Sequence, residues 1–94
     1  MVAFGHVGDG NVHFNLSQPV GMDRAQFAAH RDRLSTKIHD LTMSMSGSFS
    51  AEHGIGQLKR DELRRYRSSV ELDVMRKIKD ALDPSGLMNP GKVL

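Results

Sequence analysis

Cysteine is absent from this 94-residue chain, and so are several other features that would define a class of protein. The lack of cysteine excludes both a disulfide framework and a thiolate metal site. No apolar run approaches the roughly 20 residues that a membrane-spanning helix needs. The N-terminus lacks the basic start and apolar segment of a secretory signal. The sequence therefore predicts a cytoplasmic protein of one small domain.

The net charge of the chain does not indicate a particular class of binding partner either. Lysine and arginine number 13 against 11 acidic residues, which leaves a formal net charge of +2. This mild excess permits attraction to anionic substrates but is too small to indicate nucleic-acid binding. A hydrophobic share of 38% and a charged share of 26% are ordinary for a globular domain.

What the sequence does contain is a polar, glycine-rich stretch near its start, AFGHVGDGNVHFN at residues 3–15. Asp9-Gly10 is a strong signal for a two-residue hairpin loop of the kind that needs positive φ. With this loop His6 lies directly opposite His13, where paired Cβ atoms are about 4.5–5.5 Å apart. Side-chain alternation places Asn15 on the same face as His13. The other face is apolar and carries Val12, Phe14 and Leu16. The hairpin thus predicts two imidazoles that could share one metal ion.

Capping signals and apolar spacing predict a long helix after the hairpin. It begins with a capping box formed by Asp23 and Gln26 and runs to about Met45, with Gly47 at its C-terminal cap. One apolar stripe at helical spacing is expected to be core; it comprises Phe27, Leu34, Ile38, Leu41 and Met45.

Further helices are predicted in the second half of the chain. A short helical segment spans 58–66. A clearer helix begins at Ser68, where Glu71 completes a second capping box, and ends at Asp83-Pro84. Its apolar stripe comprises Val74, Met75, Ile78, Ala81 and Leu82. The tail SGLMNPGKVL is expected to form an ordered turn followed by a short extended segment.

Between the long helix and these later helices, the segment SGSFSA at 46–51 is expected to be a strand with Phe49 pointing to the core. The predicted fold class is therefore α+β. A small antiparallel sheet, made of the N-terminal hairpin plus one further strand, is covered on one face by helices. The exposed edges of so thin a sheet predict a pairing partner, either in further sequence or in a second copy of the chain, which would form a homo-oligomer.

Glu52 and His53 follow this strand in the motif EHGIG, at the mouth of a turn, where functional sites gather. Adjacent strand residues point to opposite faces, so both would not ligate one ion. Glu52 is expected to join His6 and His13 in a metal site with an open coordination position, and His53 to act as a base. The alternative is that His6 and His13 cap backbone groups, that Glu52 is an ordinary glutamate at a helix start and that His53 is merely exposed. Turn geometry by itself explains Asp9, which we leave out of the ligand set.

Three segments together carry a family resemblance: GHVGDGNVHFN (5–15), SAEHGIG (50–56) and LDPSGLMNPGKVL (82–94). In this order they resemble the C-terminal part of the FAD-linked oxidases of the vanillyl-alcohol oxidase superfamily. This branch contains D-lactate dehydrogenase, the glycolate oxidase D subunit and D-2-hydroxyglutarate dehydrogenase. The resemblance implies that residues 1–94 are a C-terminal (cap) domain and that the family's FAD-binding domain is not in this sequence.

The resemblance also implies a role for each site residue. His6, His13 and Glu52 bind a divalent metal, zinc or manganese, which holds a D-2-hydroxy acid. Asn15 and His53 contact this substrate, and His53 removes its hydroxyl proton while a hydride passes to FAD. The segment from Asn89 to Lys92 lies near the flavin, with Asn89 and Lys92 as its cofactor-binding residues. Catalysis then requires a FAD-binding domain or subunit, and the chain alone is expected to be inactive.

A second hypothesis comes from another class of protein. The chain would be a non-catalytic α+β module that dimerises through its sheet and uses the histidine face to bind a metal or a small acid without redox chemistry.

Overall fold

A computed structural model describes all 94 residues and confirms the α+β class. The elements in chain order are β1 (Val2–His6), β2 (Asn11–Asn15), α1 (Arg24–Ser44), α2 (Arg60–Tyr66) and α3 (Ser69–Leu82). The chain divides into two compact units, Met1–Glu52 and His53–Leu94, which are described in turn. None of the helices has the length and apolar character needed to cross a bilayer.

In the first unit β1 and β2 form the predicted antiparallel hairpin, but in a different register. His6 pairs with Asn11, so the loop has four residues, 7–10, and the predicted two-residue loop is wrong. The predicted loop type requires positive φ at both central residues. Only Gly10 has it, with φ of 72°. The Asp9 carboxylate instead accepts the N–H of Asn11 at 3.0 Å, and the Gly10 N–H donates to the His6 carbonyl at 3.0 Å. These local bonds stabilise the longer turn.

The register change nevertheless keeps both histidines on one face. The partner of His6 moves from position 13 to position 11, a shift of two residues, and side chains alternate with a period of two. His6 and His13 are therefore diagonal neighbours rather than directly opposed. Asn15, which pairs with Val2, lies on the same face, as predicted from the alternation.

The two strands approach most closely at Gly5, which pairs with Val12. A Cβ at this position would overlap the carbonyl oxygen of Asn11 and would lie 2.9 Å from the Cα of Val12. Both obstacles are backbone atoms, which cannot rotate away as a side chain can. Only glycine allows this strand separation.

Helix α1 begins and ends close to the predicted residues. The Asp23 carboxylate accepts two N–H groups of the first turn at 2.8 and 3.2 Å. At the C-terminus Ser46, not Gly47, takes the left-handed conformation, with φ of 60°. The Gly47 N–H donates to the Thr42 carbonyl at 2.9 Å, which closes a Schellman motif.

The third strand expected over 46–51 is not formed. The sheet consists of β1 and β2. The Ser48 hydroxyl accepts the N–H of Ser50 at 3.2 Å and lies 3.2 Å from its carbonyl oxygen. Local side-chain bonds of this kind compete with the pairing of a strand. Phe49 is buried as predicted, with its ring centroid 5.8 Å from that of His39.

Burial within the units is sparse. Phe49 and Leu63, 8% and 4% exposed, are the buried apolar residues, and neither α1 nor α3 has a buried residue. The expectation that the helical stripes are core is therefore wrong for this chain. On the apolar face of the hairpin Val12 and Phe14 are 65% and 38% exposed. Apolar spacing identifies which face of an element can be buried, but burial itself requires a partner surface.

In the second unit α3 has the predicted capping box. The Ser68 N–H donates to the Glu71 carboxylate at 2.9 Å, and the Glu71 N–H donates to the Ser68 hydroxyl at 3.2 Å. The bonds that Ser68 donates, from its N–H and its hydroxyl, hold the pKa of Glu71 below its ordinary value. At the other end Asp83 accepts the N–H groups of Leu87 and Met88 at 2.9 and 2.7 Å, which lower the pKa of its carboxyl.

The C-terminal tail turns at 84–85 and 90–91, as predicted. Its last residues bond back to the turn that precedes α2, and the Val93 N–H donates to the Gly56 carbonyl at 2.7 Å. Arg60 Nη1 donates to the Gly91 carbonyl at 3.4 Å. The expected extended segment is not formed, because Val93 has a φ of 69°.

Candidate metal centre

Three side chains from separate elements of the first unit converge on one point. His6 is the last residue of β1, His13 is in β2, and Glu52 follows α1. Glu52 Oε1 lies 3.0 Å from His6 Nε2 and 3.2 Å from His13 Nε2. One ligand atom from each residue lies within 4.8 Å of the others. The structure thus brings together all three residues that the sequence pointed to as ligands.

These separations suit a small divalent cation. With metal–ligand distances of about 2.0–2.2 Å, neighbouring donor atoms of a tetrahedral zinc site are roughly 3.3–3.6 Å apart. Both Glu52–histidine separations are within a few tenths of an ångström of that edge. Two imidazoles and a carboxylate are also a known ligand set of catalytic zinc sites, which keep one position open for water or substrate. The residues present therefore fit a divalent metal ion in the kind of their donor atoms and in two of their three separations, and the third is within 4.8 Å.

Without a metal ion, the His13–Glu52 contact is a hydrogen bond and the His6–Glu52 contact is an ion pair when His6 is protonated. A bond from His6 or His13 to Glu52 requires the proton on Nε2, whereas ligation uses the lone pair of that nitrogen. The three side chains are 65%, 32% and 39% exposed for His6, His13 and Glu52 respectively. Pairs as exposed as these contribute about 0–1 kcal/mol each. Hydrogen bonding by itself holds the cluster weakly.

Phe4 is a residue of this site that the sequence reasoning missed. It pairs directly with His13, and the two rings are stacked with centroids 4.9 Å apart and planes inclined by 12°. Strand alternation could have found it, because Phe4 lies two residues before His6 and so shares its face.

The other predicted site residues lie at different places. Asn15 is on the histidine face of the hairpin, two residues after His13. His53 follows Glu52 in the chain and belongs to the second unit. Asn89 and Lys92 line a groove of about 800 Å³ in that unit, beside apolar side chains of α3. Lys92 Nζ lies 3.5 Å from the side-chain oxygen of Gln57, and Asn89 has a φ of 48°.

Comparison with known protein families adds a direct finding about the whole chain. The model of the C-terminal domain of FAD-linked oxidases matches residues 1–93. The chain belongs to this family. The FAD-linked oxidase domain matches curated relatives over nearly all of its length. It is 42% identical over 93 residues to a D-2-hydroxyglutarate dehydrogenase of Stutzerimonas stutzeri. These aligned residues are 99% of this chain and 20% of the relative.

Two further relatives of this FAD-linked oxidase domain have related names. A D-2-hydroxyglutarate dehydrogenase of Xanthomonas citri is 44% identical over 93 residues, which are 99% of this chain and 20% of the relative. A D-2-hydroxyglutarate–pyruvate transhydrogenase of Saccharomyces cerevisiae is 40% identical over 91 residues, which are 97% of this chain and 17% of the relative. The chain thus spans about a fifth of the length of these relatives. No solved structure gave a significant match.

Proposed function

We propose that this domain supplies the metal site and the general base of a flavin-dependent D-2-hydroxy-acid dehydrogenase. The observation that carries the proposal is the convergence of His6, His13 and Glu52, with one carboxylate oxygen 3.0 and 3.2 Å from the two Nε2 atoms. The family supports FAD as the redox cofactor. The names of the relatives support a D-2-hydroxy acid as the substrate class.

In this proposal His6, His13 and Glu52 hold a zinc or manganese ion. A bound divalent ion would polarise the hydroxyl oxygen of the substrate, and FAD would accept the hydride. Asn15, on the same face of the hairpin as His13, donates or accepts a hydrogen bond at the polar groups of the substrate. His53 accepts the hydroxyl proton, since an imidazole can take up a proton near neutral pH.

The cofactor is bound mainly by a FAD-binding domain or subunit, and this domain contributes Asn89 and Lys92. Both residues line the groove beside α3, whose lining combines apolar side chains with the Asn89 amide, the ammonium groups of Lys79 and Lys92, and the Asp83 carboxylate. Such a combination suits the edge of a flavin, which has an apolar ring system and polar oxygens and nitrogens.

Calorimetric titration of the 94-residue chain with Zn²⁺ and Mn²⁺ tests the metal site. We expect one ion per chain, and we expect Glu52→Gln to weaken binding at least ~10-fold, because loss of groups that merely orient a ligand already costs about 10–100-fold. Asp9→Asn is the matched control. It makes the same acid-to-amide change in the hairpin loop, where the Asp9 carboxylate accepts the Asn11 N–H. Its affinity should equal that of the wild type.

Two outcomes of this titration would contradict the metal site. A wild-type chain that binds neither ion has no metal site, and equal weakening by Glu52→Gln and Asp9→Asn would indicate non-specific attraction to acidic groups. Metal binding without reduction of flavin by any D-2-hydroxy acid, after the FAD-binding domain has been added, would instead favour the non-catalytic binding module.

A further inference from the structure

The stacked contact between Phe4 and His13 is not explained by core packing. Phe4 is 56% exposed and lies on the polar face of the hairpin, together with both histidines. An aromatic side chain on that face buries little apolar area. Its most specific contact is with the imidazole, whose ring is nearly parallel to its own at 4.9 Å between centroids.

The His13 ring has few other constraints on its orientation. A metal-binding imidazole is usually oriented by a hydrogen bond from its second ring nitrogen to a carboxylate or a carbonyl group. Within this chain His13 makes its hydrogen bond through Nε2, to Glu52, and makes none through Nδ1. The torsion that rotates an imidazole about its Cβ–Cγ bond has broad minima, so little else defines the plane of the ring. The His6 ring meets His13 only edge-on, at 6.1 Å and 68°.

We infer that Phe4 is a positioning residue, which holds the plane of the His13 imidazole so that Nε2 points to the metal ion. This inference rests on the proposed metal site. Phe4 itself contacts neither the ion nor the substrate; it acts through His13 alone. A planar side chain is required, because only a flat ring can stay in contact with the whole face of the imidazole and so oppose its rotation.

Titration of the 94-residue chain with Co²⁺, followed by its visible absorption, tests this role. Phe4→Leu keeps an apolar side chain but removes the flat ring. We expect it to weaken Co²⁺ binding roughly two- to tenfold, the range that corresponds to the loss of one aromatic pair. Its cobalt spectrum should also change, because the band shapes report the geometry of the ligands. Phe4→Tyr keeps the ring and should restore both affinity and spectrum.

The hairpin provides a matched control. Phe14 pairs with Ala3 on the opposite face, so Phe14→Leu makes the same substitution one residue from His13 without touching the stacked pair. It should bind Co²⁺ as the wild type does. Far-ultraviolet circular dichroism checks the folding of each variant. If Phe4→Leu does not fold, Phe4→Met, which is also apolar and not planar, takes its place in the comparison.

The outcomes distinguish this role from the proposed function. A folded Phe4→Leu with wild-type affinity and spectrum would overturn the positioning role and leave the metal site standing. Equal losses of Co²⁺ affinity in Phe4→Leu and Phe14→Leu would also overturn the positioning role, since the effect would then be one of hairpin stability. A Phe4→Tyr variant that behaves like Phe4→Leu would overturn it as well. A wild-type chain that binds no Co²⁺ would overturn the metal site and this inference together.

Discussion

Replacing Gly5 by alanine should separate the two strands that carry the histidines. The added Cβ would overlap the carbonyl oxygen of Asn11, and its distance of 2.9 Å from the Cα of Val12 is well inside an ordinary carbon–carbon contact of about 3.5–4.0 Å. Because both neighbours are backbone atoms, relief requires the strands to move apart by a distance on the order of 1 Å.

The cost of this movement is large for a hairpin of this size. Overpacking of a tightly spaced site typically costs about 1–3 kcal/mol, and an isolated two-stranded hairpin is only marginally stable in water. His6 follows Gly5 directly, so the movement would also displace one of the three candidate ligands. We therefore expect Gly5→Ala to lose both the hairpin and the metal affinity.

Amide hydrogen exchange of β1 and β2, measured by NMR, reports the hairpin, and calorimetric titration with Zn²⁺ reports the site. Gly8→Ala is the matched control, because a Cβ at Gly8 has no atom within 4 Å and Gly8 does not have a positive φ. It should keep wild-type exchange rates and affinity. If Gly5→Ala behaved like Gly8→Ala in both measurements, the close approach of the strands and the pairing of Gly5 with Val12 would be refuted.

Three further predictions concern other parts of the chain. In a complete flavoprotein, Glu52→Gln should lower metal content and activity together, whereas His53→Asn should keep the metal, measured by elemental analysis, and lower turnover by about 10²–10⁴-fold; the reverse pattern would exchange the two roles. The cap at Ser68 stabilises α3 through ionised Glu71, whose pKa is lowered, so this stabilisation is present above the ordinary glutamate pKa and is lost as the pH falls through the lowered value. Ser68→Ala removes the hydroxyl bond to Glu71 but keeps the N–H bond, so it should raise the pKa of Glu71 part of the way in an NMR titration of its carboxyl carbon; an unchanged pKa would contradict the hydroxyl bond. Both edges of the two-stranded sheet are unpaired and should promote self-association, which a single monomeric species in sedimentation at high concentration would disprove.

The helix ends are the part of the fold that the sequence predicts best. Asp23 and Ser68 each form the expected N-terminal cap, because a cap bonds to N–H groups only two or three residues away. The same locality explains the error at 46–51. Serine side chains there satisfy the backbone locally, and no partner strand is present to compete with them.

At the candidate site, the alternation of side chains along a strand predicted the shared face of the histidines but not their cross-strand partners. The period of two along a strand put His6 and His13 on one face under either register, so the wrong loop length did not separate them. It could not indicate which residue lies opposite His13. That depended on the length of the turn at 7–10, in which the Asp9 carboxylate bonds to the Asn11 N–H. With this turn Phe4 is the partner of His13.

By itself the sequence determined which side chains can act at the site and which faces of the helices are apolar, because residue type and spacing are local properties. The tertiary structure decided that Glu52, 39 residues after His13, comes within 3.2 Å of it. No spacing rule specifies a contact between a strand and a loop beyond an intervening helix. It also decided that no residue in the apolar stripes of α1 and α3 is fully buried, since burial depends on the surface that an element meets and not on its own periodicity.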